Sequence, residues 1–417
     1  MMRVLVFEQW RGGHYFDYLK CLLPRLSELA SEVVVTLPRR ALESEEFEAK
    51  IGTYRAFRNI RFESIIPDAD PRLPLRERLT LLMNVRNAIA HTKPDYVLVT
   101  SADAQTLAMG ALAHIGITLL PKNIPSEATF HTGYGSAVAN LNHLMKEAVY
   151  RFAYSGCTWT RMNFVNFLYY EYVLRHHCRW AERVRLVPHP ISNAPRLTAS
   201  QARRLLGVPE DGRYLGILGS LDARKAVPEL LAAFRAAKLG ATDRLLLAGR
   251  LDPAFRSLIA EEYADLLKSG RLVLVDRFLT DCEVTQGYTA LDLVCTTYRD
   301  FPGVSGLMLN GLAAGRPVVS HDFGWSRALI RRFGVGHLVN LSDTAGFAKT
   351  LRNALEASAS YIESEPTKRL LALHDVSNFT ETMLDQIRRM AGKPERRPLL
   401  TWDWVLEKLN REDRFKL

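Results

Sequence analysis

Two successive series of short apolar strands alternating with amphipathic helices constrain this chain most, because such alternation is what parallel, doubly wound sheets require. In the first series Val4–Phe7 is a strand, a glycine turn follows, and Tyr15–Ala30 has helical periodicity. Phe16, Leu19, Leu22, Leu23, Leu26 and Leu29 fall on one stripe of that helix, which Pro24 is expected to kink. Strands are expected at Val33–Leu37, Asp95–Thr100 and Ile117–Leu120, with helices around Leu42–Ala56 and at Arg76–His91 and Ala104–His114. Val184–Pro188 reads as a further strand, and Leu197–Ala199 as a loop or linker. The second series has strands at Tyr214–Leu218, Arg244–Ala248, Leu272–Val275, Leu291–Thr296 and Pro317–Ser320. Its helices fall at Pro228–Ala237, Asp252–Ser269, Cys282–Ala290, Gly306–Ala314 and Thr367–Met390.

The expected fold class is therefore α/β, with two Rossmann-like doubly wound domains facing a central cleft. A length of 417 residues exceeds one ordinary core and fits that division. The expected boundaries are 1–190 for the first domain and 191–380 for the second, with a helical tail over 381–417 packing back on the first. A 47% hydrophobic and 24% charged composition excludes general disorder. The chain opens directly on a buried strand, which argues against a signal peptide. Its longest apolar stretch, Thr106–Leu120, is interrupted by His114 and is too short to span a bilayer.

Five cysteines, an odd number with no CxxC pair, exclude a disulfide framework and a zinc site, so no metal is expected. This usage fits a reducing, cytoplasmic setting. The formal charge of +10 raises the question of an anionic partner. Basic segments such as Arg183–Arg185 and Arg327–Arg332 are short and no nucleic-acid module is present, so nucleic acid is not expected. The aromatic and basic segment 143–185 is expected to form helices packing on the first domain. Peripheral contact with a membrane, at its inner face, is the open alternative for that segment.

Three turns carry candidate chemistry. Gly12-Gly13 lies between the first strand and first helix, where backbone amides attract phosphate. It is not a GxGxxG turn, so a nicotinamide site is not favoured. The segment Leu215–Phe234, LGILGSLDARKAVPELLAAF, is a strand, a turn at Gly219, the basic pair Arg224-Lys225 and a helix. Cations at the mouth of a parallel sheet suit a diphosphate. The segment Tyr298–Ser320, YRDFPGVSGLMLNGLAAGRPVVS, places amides near Ser305 and Gly306 at a helix N-terminus.

These pieces, with VPHPIS at Val187–Ser192, LLLAGR at Leu245–Arg250 and FGVGHLV at Phe333–Val339, resemble the retaining GT-B glycosyltransferases of family 4. The resemblance is strongest over residues 184–345, and Ala313–Val319 is its most specific run. It implies a nucleotide sugar, UDP- or GDP-linked, as co-substrate, with no other cofactor. It implies that Lys225 and Arg224 neutralise the donor diphosphate together with amides near Ser305 and Gly306, with Gly219 at the same turn. Gly12 and Gly13 would close over the sugar phosphate from the other domain, and His14 would contact sugar or acceptor. His131 and Asp103 are weaker acceptor candidates. The acceptor class stays open among a glycan, a lipid-linked molecule and a small metabolite. Two departures stand out. The family commonly has Gly-Arg-Leu where this chain has Gly219-Ser220-Leu221, and its two hallmark glutamates correspond to Pro302 and Asn310. Asn310 can still hydrogen-bond a ribose hydroxyl, and Asp300 carries the nearest acidic charge. The alternatives are a non-catalytic binding protein derived from the family and a sugar-nucleotide epimerase.

Overall fold

A computed structural model describes residues 2–10, 12–66, 75–131, 140–176, 182–191, 196–394 and 400. The chain divides into two compact units, the first comprising Met1–Pro190 and the helix Val376–Met390, the second Ile191–Asp375. The crossing back at Asp375–Val376 falls a few residues before the boundary read from the sequence, and the tryptophans of the tail, Trp402 and Trp404, lie outside the described residues.

In the first unit the order is β1 (Arg3–Phe7), α1 (His14–Leu29), β2 (Glu32–Pro38), α2 (Arg39–Leu42), α3 (Glu45–Lys50), β3 (Ile60–Ile66), α4 (Leu75–Thr92) and β4 (Tyr96–Val99). It continues through α5 (Asp103–His114), β5 (Ser126–Phe130), α6 (Leu141–Gly156), β6 (Arg161–Phe164), α7 (Phe167–His176) and β7 (Val184–Leu186). Among the described residues these strands form one parallel sheet ordered β3-β2-β1-β4-β5-β6-β7. Val4, Leu5, Val6, Val33, Val34 and Val35 are fully buried, as strands covered on both faces must be. Strand order reverses between β1 and β4, so the loops after these two strands diverge at the carboxyl edge of the sheet.

The expected strand at Ile117–Leu120 is not formed. That run lies between Gly116, at φ 82°, and Pro121, and Ile117 is exposed. The strand that follows α5 is instead β5, whose polar sequence Ser-Glu-Ala-Thr-Phe hides a buried position. There the Glu127 carboxylate meets Arg161 at 3.1 Å and Arg185 at 3.2 Å. Nor does Pro24 end α1. Proline removes the amide that would bond the Lys20 carbonyl, and the Tyr54 hydroxyl donates to that carbonyl at 3.0 Å instead.

The second unit runs α8 (Ala199–Leu206), β8 (Arg213–Leu218), α9 (Val227–Ala237), β9 (Asp243–Ala248), α10 (Pro253–Glu262), α11 (Ala264–Lys268), β10 (Leu272–Val275), α12 (Asp281–Gly287) and β11 (Leu293–Thr296). It closes with α13 (Gly306–Ala313), β12 (Val318–His321), α14 (Gly324–Phe333), β13 (Gly336–Val339), α15 (Thr344–Ala357) and α16 (Glu365–Leu373). The run read as a linker leads straight into α8, where Thr198 and Gln201 form a capping box. The parallel sheet is ordered β10-β9-β8-β11-β12-β13, and its reversal point lies between β8 and β11. Leu215, Ile217, Leu245 and Leu247 pack with Leu230, Leu231 and Phe234 of α9 and Leu351 of α15 in one core.

The last helix, α17 (Val376–Met390), packs on α1 of the first unit. Phe379, Met383, Leu384 and Ile387 join the core of α1, β1 and β2. Arg25 of α1 meets Glu381 at 3.1 Å, a largely buried ion pair.

Candidate functional site

The carboxyl edge of the second sheet, at the reversal point between β8 and β11, gathers Gly219, Arg224, Lys225, Asp300, Ser305 and Gly306, the residues expected from the sequence to meet the donor. After β8 the backbone turns at Gly219, at φ 97°. The loop after β9 runs beside it so closely that a Cβ on Gly249 would lie 2.1 Å from the Gly219 carbonyl oxygen. Glycine is required there both for its conformation and for the approach. Leu221 and Leu251 then form a parallel bridge that holds the two loops together.

Beyond that bridge Asp222 caps a short turn. Its carboxylate accepts the Arg224 amide at 3.0 Å and the Arg224 guanidinium at 2.7 Å. Burial alone would raise the Asp222 carboxyl, but the hydrogen bonds and charge of Arg224 hold it below the usual range. Arg224 thus points along the surface, 63% exposed and engaged by its neighbour.

Lys225 turns the opposite way. It is 4% exposed, and its Nζ donates to the Tyr298 hydroxyl at 2.8 Å. The same nitrogen lies 4.4 Å from the centre of the Tyr298 ring. Tyr298 follows β11, so this contact ties the two loops across the reversal point. Backbone bonds reinforce it: the Thr297 hydroxyl donates to the Lys225 carbonyl at 3.0 Å and the Arg299 amide to the Arg224 carbonyl at 2.8 Å. Among the described residues no carboxylate lies within ion-pair distance of the Lys225 nitrogen. A buried ammonium with one neutral partner keeps donors for an external anion.

The loop after Tyr298 leads to the N-terminus of α13. Asp300 is exposed at φ 48°, a left-handed conformation that a short polar side chain tolerates. Pro302 is buried, and a Cβ on Gly324 would approach its Cα to 2.8 Å. Pro302 thus packs closely against the start of α14. Ser305 caps α13, its hydroxyl accepting the Met308 amide at 3.2 Å. The amides of Gly306 and Leu307 have no acceptor among the described residues. Asn310 is half-buried on the second turn of α13, and its side-chain amide has no partner among the described residues. Gly311 sets the helix against β11, since a Cβ there would meet Val294 at 3.0 Å.

The first unit shows a separate cluster at its own reversal point. Glu8 follows β1 and is fully buried; it accepts the Thr100 hydroxyl at 2.6 Å and the Trp10 amide at 2.8 Å. Burial pushes its carboxyl up to about 8, against the lowering effect of those hydrogen bonds and with a further push from Asp103. Asp103 accepts the His131 amide at 3.0 Å, and His131 Nε2 lies 3.0 Å from the Thr100 carbonyl. The His14 ring packs against His131 at 5.3 Å and against Tyr15 at 3.9 Å. His14, Asp103 and His131 are thus brought together. The Gly13 amide, expected to face phosphate, donates instead to the Glu46 carboxylate at 2.8 Å. Gly12, at φ 155°, lies over the same carboxylate.

Sequence reasoning missed Tyr298, although it stands directly after a strand inside the strongest motif. It also missed Glu8, an acidic residue one position beyond a buried strand, which is an unusual place for an unpaired charge. Among the described residues no three His, Cys, Asp or Glu side chains are placed to hold a metal ion. No helix among them is long and apolar enough to cross a membrane.

Comparison with known proteins follows the same geometry. Residues 212–357 match the family model described as Glycosyl transferases group 1. A phosphatidyl-myo-inositol mannosyltransferase of Mycobacterium leprae is 31% identical over 158 residues, which are 36% of this chain and 40% of that protein. The chain therefore spans well under half the length of the curated relative it matches. Among solved structures, Anabaena HepE in complex with UDP is 14% identical, with a TM-score of 0.64 over 93% of this chain and 100% of that one. Sucrose-phosphate synthase of Thermosynechococcus elongatus is 16% identical, with a TM-score of 0.69 over 94% of this chain and 100% of that one. These likenesses establish the fold.

Proposed function

We propose that this protein, which shares the fold of the solved structures above and carries a group 1 segment in its second unit, transfers a sugar from a nucleotide-sugar donor to an acceptor hydroxyl. The observation that carries this reading is the buried Lys225 ammonium, held by Tyr298 and, among the described residues, with no carboxylate within ion-pair distance. As the bond from the sugar to the diphosphate breaks, negative charge grows on the leaving phosphate. A cation fixed in a dry site stabilises that charge without reorganisation. The unpaired amides at the start of α13 add donors for the same phosphates. The Gly219–Gly249 approach lets backbone line the nucleotide, and Asn310 is available to a ribose hydroxyl. Arg224, Ser305 and Asp300 border this region. In this scheme Lys225 does what a metal ion would otherwise do, and transfer proceeds with retention, the acceptor attacking on the face the diphosphate leaves.

The acceptor is assigned to the first unit, where His14, Asp103 and His131 cluster with aromatic rings at the carboxyl edge of the sheet. Its class is a glycan, a lipid-linked molecule or a small metabolite. The donor is UDP- or GDP-linked. The solved relative HepE carries UDP, which makes UDP-sugars the first to try.

The test is sugar transfer from UDP- and GDP-hexoses, followed by NMR so that the anomer formed is read directly. The wild type is expected to turn over one donor class with retention. Lys225→Met is expected to lose at least about 100-fold in rate, the scale of a lost electrostatic contact in a transition state. An unchanged rate in that variant removes Lys225 from the mechanism. One observation favours a second reading, nucleotide binding without transfer: the buried Pro302, packed against Gly324, carries no carboxylate at that point. Tight nucleotide binding with no turnover of any donor would select it.

A further inference from the structure

The outward face of α6 is apolar. Leu141, Leu144, Met145, Val149 and Phe152 are all exposed, Leu141 to 71% and Met145 to 63%. At the pitch of an α-helix, Leu141, Met145, Ala148 and Phe152 make one stripe, with Leu144 and Val149 on its borders. The opposite face buries His143, Glu147, Ala153 and Tyr154. This is not a helix that failed to find its core, because its inner face is fully used.

The platform beneath is rigid. A Cβ on Gly110 of α5 would lie 1.9 Å from the Ala153 carbonyl oxygen, so the backbones of α5 and α6 touch. The His114 ring stacks on Phe152 at 4.1 Å, and its Nε2 meets the Phe152 carbonyl at 2.9 Å. That contact brings Ile115 and Ile117, both exposed, to the same end of the patch.

The exposed charged side chains of α6 are Lys146 and Arg151. Between residues 104 and 176 the carboxylates are Glu127, Glu147 and Glu171, and all are buried. Lys122, Lys146, Arg151 and Arg175 are exposed, and Lys146 and Arg151 flank the apolar stripe of α6 on either side. An exposed apolar patch rimmed by cations needs an apolar partner with negative charge at its edge. A second copy of the same face would bring like charges together.

We propose that the α5–α6 face is a docking surface for an anionic lipid bilayer. The helix lies in the plane of the interface, with Leu141, Met145, Val149 and Phe152 among the upper acyl segments and the basic residues against headgroup phosphates. This proposal does not rest on the reaction assigned to the second unit.

The experiment is flotation of the full chain with vesicles of phosphatidylcholine, alone or with phosphatidylglycerol, at low and at high salt. Leu141→Glu/Met145→Glu is compared with wild type. Both positions are solvent-facing and near the helix N-terminus, where glutamate is tolerated, and thermal melting checks the fold. Wild type is expected to float with the anionic vesicles at low salt and to be released by high salt. Its affinity should drop at least about ten-fold on phosphatidylcholine alone, and as much for the variant on anionic vesicles. No flotation of wild type at low salt overturns the proposal, as does equal binding by the variant. A dimer of wild type in sedimentation analysis that the variant abolishes also overturns it, assigning the face to a second copy.

Discussion

Glu8 and Lys225 are both buried after the first strand of their sheets, Glu8 directly after β1 and Lys225 in the turn that leads to α9, and they are held by different partners. Burial pushes the Glu8 carboxyl from the usual 4.5 up to about 8, against the lowering effect of the hydroxyl and amide it receives. Between those values the folded state holds a proton that the unfolded state releases. The stability this proton contributes is complete below the ordinary value and is lost as pH rises to about 8. Glu8→Gln keeps the shape and removes the titration. Urea unfolding from about pH 5 to 8 should therefore show wild type losing more stability than the variant, by on the order of 3 kcal/mol. Parallel profiles would mean that Glu8 is ionised in the folded state. The Glu8 position was legible as a strand end, but its burial was not, since a lone carboxylate in sequence looks like a surface residue.

Elements were read where their apolar residues show the periodicity and missed where buried polar contacts replace it. β1, β2, β8 and β9 are aliphatic runs and stand close to where the sequence placed them. β5 and β6 were not seen, because Glu127, Arg161 and Asn163 sit in the middle of the sheet and satisfy each other there. Arg185 completes that cluster from β7. Glu127→Ala would leave two partly buried guanidinium groups without their carboxylate. It should cost about 3–5 kcal/mol in urea unfolding, and a loss well below 1 kcal/mol would show that water or Asp385 takes over. The Lys20 carbonyl that Pro24 leaves without a helical amide is bonded by Tyr54, a residue distant in sequence, which no local pattern reveals. Tyr54→Phe removes the hydroxyl that bonds the Lys20 carbonyl and should destabilise the first unit by about 1 kcal/mol, measured the same way. The segment after α5 shows the reverse failure. Ile117–Leu120 looked like a strand from hydrophobicity alone, yet its isoleucine belongs to an exposed patch.

At the scale of the whole molecule, the alternation of strands and helices was enough to specify two doubly wound units, and both sheets show the 3-2-1-4-5-6 order of that class. The helix that groups with the first unit is α17, Val376–Met390, which begins a few residues ahead of the tail expected from 381. The positive excess of +10 is silent in composition but informative in place. Part of it rims the apolar face of α6, and part lies at the reversal point of the second sheet. Only the latter bears on the central claim, that the second unit holds a nucleoside diphosphate through Lys225. Calorimetric titration of UDP and GDP into wild type and Lys225→Met tests that claim most directly. The account predicts that one of the two nucleotides binds wild type, and binds the variant at least about ten-fold more weakly while the ligand-free melting temperature stays near that of wild type. Equal affinity in both proteins, or no binding of either nucleotide to wild type, would contradict it.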